Sequence, residues 1–295
     1  MKAKILRSFY LPDIPSASGV EIIDKEFYVI GDDSLYLFHI DIHGNIKERI
    51  PLVENVSQHR IAKQDKADFE AITSIYINKQ AYLLVIGSGS LEAKRDFAKL
   101  INLNTRKEDT IILTDFYSRL KSKIPVEDQI VFNIEGLCSS QTHLYFAQRG
   151  NITGHQIIFK LEIKSFFSLC ENPSSNINIE TCTFQLPETN GVNFGISGCC
   201  FDEHTQSIIF CAAAENIQNT YDDGQILGSI IGIIDLNQDC KNLSIQHSQV
   251  ISNKKIESLC ILKTDPYSSY TLLAVCDNDT EASELLEIKL VISDQ

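Results

Sequence analysis

The chain has 295 residues, 43% of them hydrophobic, and carries 26 basic against 39 acidic side chains for a formal net charge of −13. The apolar content suffices for a proper core. The acidic balance argues against nucleic acid and anionic membranes as partners, because phosphate contact needs a basic field.

No run of about 20 apolar residues offers a membrane span, and the opening MKAKILRSFYLPDIP has no apolar stretch of signal-peptide length. A cytoplasmic protein is therefore expected. Residues 3–11, AKILRSFYL, read as a strand. From Ser16 onward the chain falls into a repeating unit. The first unit runs SASGVEII, EFYVIGDDS, LYLFHIDI and IKERIPL. The second opens at Asp68 with DFEAITSIYI and continues AYLLVIGSGS, AKLINLN and EDTIILT. The third opens at Asn133 with NIEGLCSS, followed by HLYFAQRGN, QIIFKLEI and IETCTFQL. The fourth is GISGCCF from Gly195, SIIFCAAAEN, GSIIGIIDL and SIQHSQVI. The fifth, from Lys255, is KIESLCIL, TLLAVCDND and SELLEIKL, and the chain then ends without a fourth run.

Short apolar runs in groups of four are the pattern of a β-propeller, in which each four-stranded antiparallel sheet buries its faces against its neighbours. The reading is all-β: five blades in a single domain over residues 1–295, with the N-terminal strand completing the last blade. A six-bladed ring is the alternative, should a degenerate blade lie in 104–134 or 163–194. Loops follow from the alternation of strand direction. The connections before the first strands and after the second strands share one face and are long, and long loops on a rigid scaffold usually carry function. SLEAKRDF, DFYSRLKSK and KSFFSLC read as short helices within connections.

Every unit opens on one hydroxyl or carboxylate residue followed by a small and then an apolar one: Ser18, Glu70, Glu135, Ser197 and Glu257. These markers begin the innermost strands on the long-loop face. If they point at the axis, Glu70, Glu135 and Glu257 converge as candidate catalytic groups. Three carboxylates about 5 Å apart repel by roughly 3 kcal/mol per pair at an effective dielectric near 20. A calcium ion relieves that, since it takes carboxylate, hydroxyl and carbonyl oxygens. So do a basic residue and a retained proton. The expected metal ligands are Glu70, Glu135, Glu257 and Asp277. Expected ligand-binding residues are Arg149, Arg60, Ser18, Ser197 and Asn216, with Lys63, Lys66, Arg95, Asn278 and Asp279 near the same mouth. Arg149 lies in QRGN, where glycine permits close approach of an anionic group. The plain structural alternative is that polar markers bond to backbone groups of neighbouring blades and fix their register.

Other chemistries are excluded by spacing. The nine cysteines are odd in number and form no C-x-x-C, so they read as buried small hydrophobes, with Cys170 and Cys182 the one pair to test as a bridge. No serine sits in G-x-S-x-G, no histidines cluster as H-E-x-x-H, and GSGS lacks the Lys-Ser/Thr of a phosphate loop.

The E-G-L at Glu135, E-A-I at Glu70 and E-S-L at Glu257, with the closing V-C-D-N-D and S-E-L-L-E-I, resemble the bacterial phytase-like ("esterase-like activity of phytase") propellers. That resemblance implies acidic calcium clusters and hydrolysis of phosphate or other esters. Three carboxylates at one mouth also suit a five-bladed glycoside hydrolase, as acid, base and pKa-modulating partner. The expectations are thus a metal-assisted ester hydrolase, a non-enzymatic ligand- or protein-binding scaffold, and a glycosidase. The expected partner is a small anionic molecule or a protein, and the expected state is a monomer.

Overall fold

The computed structural model describes residues 1–53, 60–61, 65–216, 224–236, 243–251, 253–265, 268–277 and 282–292. In chain order the elements begin with β1 (Lys2–Leu11), then the hairpin series β2 (Ala17–Ile23), β3 (Glu26–Gly31), β4 (Tyr36–Ile40) and β5 (Ile46–Pro51). They continue with β6 (Phe69–Ile77), β7 (Gln80–Gly87), β8 (Phe97–Asn102) and β9 (Glu108–Ile112), and with helices α1 (Thr114–Lys121) and α2 (Val126–Ile130). Next come β10 (Ile134–Ser139), β11 (His143–Gln148), β12 (His155–Glu162), α3 (Ile163–Glu171) and β13 (Glu180–Gln185). The last part comprises β14 (Glu188–Thr189), β15 (Val192–Asp202), β16 (Ser207–Asn216), β17 (Gln225–Asp235), β18 (Ser244–His247), β19 (Lys255–Asp265), β20 (Ser269–Asp277) and β21 (Ser283–Val291).

The strands form five antiparallel sheets: β2-β3-β4-β5, β6-β7-β8-β9, β10-β11-β12-β13, β14-β15-β16-β17-β18 and β19-β20-β21-β1. These are blades I to V of a five-bladed propeller. β14 is a two-residue extension beside β15. The strand expected to close the ring does so: β1 pairs antiparallel with β21, from Lys2 opposite Val291 to Leu11 opposite Ser283. The segments that might have hidden a sixth blade hold helices and outer strands instead.

Both faces of a blade are covered by its neighbours, which is why runs such as β16, SIIFCAAAEN, are apolar throughout rather than alternating. Five apolar clusters fill the five wedges between blades. Ile30 and Leu37 meet Phe69 and Leu83 between blades I and II. Leu84 and Ile86 meet Leu137 and Phe146 between II and III. Tyr145 and Ile158 meet Ile208 and Phe210 between III and IV. Cys211 and Ile231 meet Leu259 and Leu272 between IV and V. Cys260 and Leu273 meet Val20 and Phe38 between V and I. Outermost strands are polar on their free side, as the pattern of β9 and β1 shows.

DFYSRLKSK forms α1 and KSFFSLC forms α3. The two pack on each other through Phe116 and Phe166, with ring centroids 5.0 Å apart. SLEAKRDF does not form a helix. It is a compact turn, within the connection 88–96 between β7 and β8, in which Arg95 N–H donates to Leu91 O and Gly89 N–H to Arg95 O. Cys170 is a free thiol, so it makes no bridge to Cys182, which is disulfide-bonded elsewhere. No helix among the described residues is long and apolar enough to cross a membrane.

Candidate functional site

The five innermost strands β2, β6, β10, β15 and β19 each pack against the next around the axis. Each carries a register shift at its marker. Pairing skips from Ala17 to Gly19, from Phe69 to Ala71, from Ile134 to Gly136, from Ile196 to Gly198 and from Ile256 to Ser258. The residue left out is Ser18, Glu70, Glu135, Ser197 or Glu257. A β-bulge leaves one residue unpaired and re-aims its side chain, which explains how one position per blade is presented together. It also explains the small residue that follows. A Cβ on Gly198 would stand 2.6 Å from the carbonyl oxygen of Glu257, and one on Gly136 3.0 Å from Cys199 Sγ.

The five markers divide by chemistry. Ser18 Oγ donates to the carbonyl of Phe69 at 2.5 Å, and Ser197 Oγ to that of Ile256 at 2.5 Å. Each hydroxyl ties its blade to the residue just ahead of the next blade's marker, so it fixes register. The glutamates instead meet charged partners. Glu135 Oε1 accepts from Arg149 Nη1 at 3.1 Å and from Asn133 Nδ2 at 2.5 Å. Arg149 Nη2 reaches Glu215 Oε2 at 2.9 Å. Lys255 Nζ lies 2.8 Å from Glu257 Oε1 and 3.7 Å from Glu215 Oε2. On the other side of the mouth, Asp68 accepts from Arg95 Nη1 at 2.9 Å and Ser88 Oγ at 2.5 Å. Lys66 bridges Asp68, at 2.8 Å, and Asp32. Carboxylate oxygens of Asp32, Asp68 and Glu70 lie within 4.8 Å of one another.

Burial separates the carboxyls by proton affinity. Glu70 is pushed well above the usual carboxylate range by desolvation first, then by Glu135, Asp68 and Asp32. Glu257 is pushed up to about 8 by burial, with Glu135 adding to the rise and Lys255 and Arg149 opposing it. Burial also works against the charge on Glu215, yet Lys255, Arg149 and the Gly224 N–H hold its carboxyl below the ordinary value. Asp68 is likewise held low, by Lys66 and Arg95 against its own desolvation. Glu257, at about 8, therefore holds its proton at neutral pH, and Glu70 is raised in the same direction, beside Asp68 and Glu215, which are held low. Three buried polar atoms in this network have no hydrogen-bond partner: Arg149 Nε, Glu257 Oε2 and Asn133 Oδ1.

The residues present do not fit calcium at the marker glutamates. Glu135 already carries Arg149 and Glu257 already carries Lys255. Of the three, only Glu70 belongs to a tight carboxylate set, and there the Lys66 ammonium bridges the other two members. An ion needing six to eight oxygens would have to displace it. Asp277 faces Lys255 across the β19–β20 ladder. It lines a cavity of about 660 Å3 with Asp13, Tyr36, Phe38, Arg49 and Arg60. Arg60 donates there to Asp33 at 2.6 Å and to Ser16 at 2.5 Å. Asn216 is exposed at the end of β16. Lys63, Asn278 and Asp279 lie outside the described residues.

Sequence reasoning missed Asp68, Asn133, Glu215 and Lys255. Three of them carried a signal. Asp68, Asn133 and Lys255 stand two places ahead of their markers, as Ser16 does ahead of Ser18, and a period of two puts them on the same side. Ser16 and Asp68 also have φ of 42° and 55°, a left-handed conformation uncommon for side-chain-bearing residues and frequent at functional sites. Glu215 carried none: a register shift beside Ala214 aims it at Arg149.

Solved structures share this architecture. The glutaminyl cyclase of Myxococcus xanthus is similar with a TM-score of 0.52 at 9% identity, the match covering 99% of this chain and 97% of that one. A thermostable family-43 glycoside hydrolase is similar with a TM-score of 0.55 at 11% identity, covering 99% and 92%. At such identities the likeness shows the fold alone, and the phytase-like resemblance of the motifs likewise reaches no further than the propeller. No curated protein matches the chain. Residues 13–290 match a family of unknown function, DUF6929, and the chain belongs to that family.

Proposed function

We propose that the axial mouth is an acid–base hydrolytic site for small uncharged esters. The observation behind this reading is that two buried carboxyls of the mouth, Glu70 and Glu257, are both raised in proton affinity beside a third, Glu135, that is paired with Arg149. Glu70, whose proton affinity burial raises well above the usual carboxylate range, is the general acid that protonates the leaving oxygen. Glu257, whose proton is held to about 8, is the group poised to exchange a proton with water near physiological pH. Glu135 raises both and is itself held by Arg149, so it is the modulating carboxylate. Uncharged esters are favoured over phosphate because Arg149, Lys66 and Arg60 each already hold a carboxylate and Lys255 faces that of Glu215. The unpartnered Arg149 Nε and Glu257 Oε2 supply one donor and one further polar atom to a carbonyl or a water.

The similar solved structures include a cyclase and a glycoside hydrolase, which supports an enzyme on this architecture by analogy of fold only. The test is a panel of nitrophenyl esters, phosphates and glycosides. Turnover of an ester is expected, with Glu70→Gln lowering kcat by about 10²–10⁴. The rate should climb with pH through about 8 as Glu257 loses its proton, and Glu257→Gln should remove that limb. An ester rate untouched by both substitutions would sink the reading.

A binding propeller is the second reading. Ser18 and Ser197 favour it, since two of the five marker positions serve only to lock blades together. It gains if the whole panel is inert.

A further inference from the structure

A second constellation lies outside the mouth network, on blade III. His155 opens β12, and its Nδ1 stands 3.1 Å from Oδ2 of Asp128 on α2. Glu127 precedes Asp128, and one ligand atom from each of Glu127, Asp128 and His155 lies within 4.8 Å of the others. Asp128 has no exposed surface, and its Oδ1 has no hydrogen-bond partner. A wholly buried carboxylate oxygen left unbonded costs about 1–3 kcal/mol or more, so its retention calls for a ligand. The loop that delivers His155 is tightly tied: Gly154 N–H donates to Gly150 O at 2.8 Å, and Gly150 N–H to Gln156 Oε1 at 3.1 Å. This loop also carries Arg149, so the cluster sits at the rim of the same mouth.

We propose that Glu127, Asp128 and His155 form a zinc-class divalent metal site. An imidazole nitrogen with two carboxylates is a donor set for zinc rather than for calcium, which takes oxygens. Around an ion with bonds of about 2.1 Å, tetrahedral ligands stand about 3.4 Å apart, close to the separation already present between His155 and Asp128. The metal takes the place of the hydrogen between Nδ1 and Oδ2, and the neutral imidazole then carries its proton on Nε2. Two carboxylates and a neutral imidazole balance the +2 charge. Three protein ligands leave the fourth position to water, the open arrangement of catalytic rather than structural zinc.

The test is calorimetric titration of zinc chloride into the chelator-treated full-length protein. One saturable equivalent is expected. His155→Ala and Asp128→Asn should each weaken binding roughly tenfold or more. Asp128 is buried, so the exposed Glu127→Gln is the variant that tests the site without threatening the fold, and circular dichroism checks all three. Cobalt in place of zinc should show ligand-field bands without thiolate charge transfer, which separates this site from the free cysteines. Absence of saturable binding, binding unmoved by His155→Ala and Glu127→Gln, a thiolate band, or loss on Asp32→Asn at the mouth would each overturn the assignment.

Discussion

Arg149 shows how one side chain joins the charge network of the mouth. It is 7% exposed and lies between Glu135 and Glu215, which are 6% and 5% exposed. Removing it strands two buried carboxylates, so Arg149→Met is expected to lose about 3–5 kcal/mol in urea unfolding, and adding Glu215→Gln should recover part of that loss. Its ligand-binding role was read from the glycine beside it, but its partners came from the inner strand of its own blade and from blade IV and were invisible in QRGN. A second residue-scale case lies three places beyond Ser18. Glu21 accepts from Ile22 N–H and Ser74 N–H, at 2.8 and 3.0 Å, yet burial lifts its carboxyl from 4.5 to about 7. The equivalent places in the other blades hold Thr73, Cys138, Cys200 and Cys260, and burial pushes all three of these thiols up. Because the folded state keeps the Glu21 proton longer than the unfolded chain, stability falls as pH rises from 4.5 to about 7. The stability of Glu21→Gln relative to wild type should therefore shift in the variant's favour between pH 5 and 8, as denaturant midpoints will show.

At the scale of the element, the bulged inner strand is the unit from which the mouth is built. Its sequence form, polar then small then apolar, was legible because it recurs five times about 50–65 residues apart. The reason for the small residue was not legible, since it is an approach between strands of different blades. At Gly198 the obstacle to a Cβ is backbone, the carbonyl of Glu257 and the Cα of Ser258, so no rotamer change relieves it. Gly198→Ala is expected to cost about 1–3 kcal/mol, read from the urea midpoint. The same step at Gly19 meets only side chains of Ile30 and Ile72 and should cost less.

For the whole molecule the decisive contact is the closure of blade V. β1 pairs with β21 along its length, Leu11 is buried between blades V and I, and Ser8 Oγ donates to Glu284 Oε2 at 2.5 Å. A closed ring leaves no blade with an open face, whereas loss of β1 exposes β21 as an unprotected edge. Deletion of residues 1–11 is expected to broaden the unfolding transition and promote aggregation, measured by calorimetry and light scattering.

The sequence by itself determined the strand periodicity, the five units, the N-terminal strand as closing partner and the five positions that begin the inner strands. These follow from local chain properties repeated often enough to stand out from noise. Only the tertiary structure decided which markers are bonded to backbone and which to charge, and that Lys66, Arg149 and Lys255 stand among the glutamates. It also brought His155 to Asp128 across 27 residues. Pairings of that kind depend on which side chains arrive from other blades. Proton affinity depends on burial and on the summed field of those neighbours, and neither exists until the ring has closed.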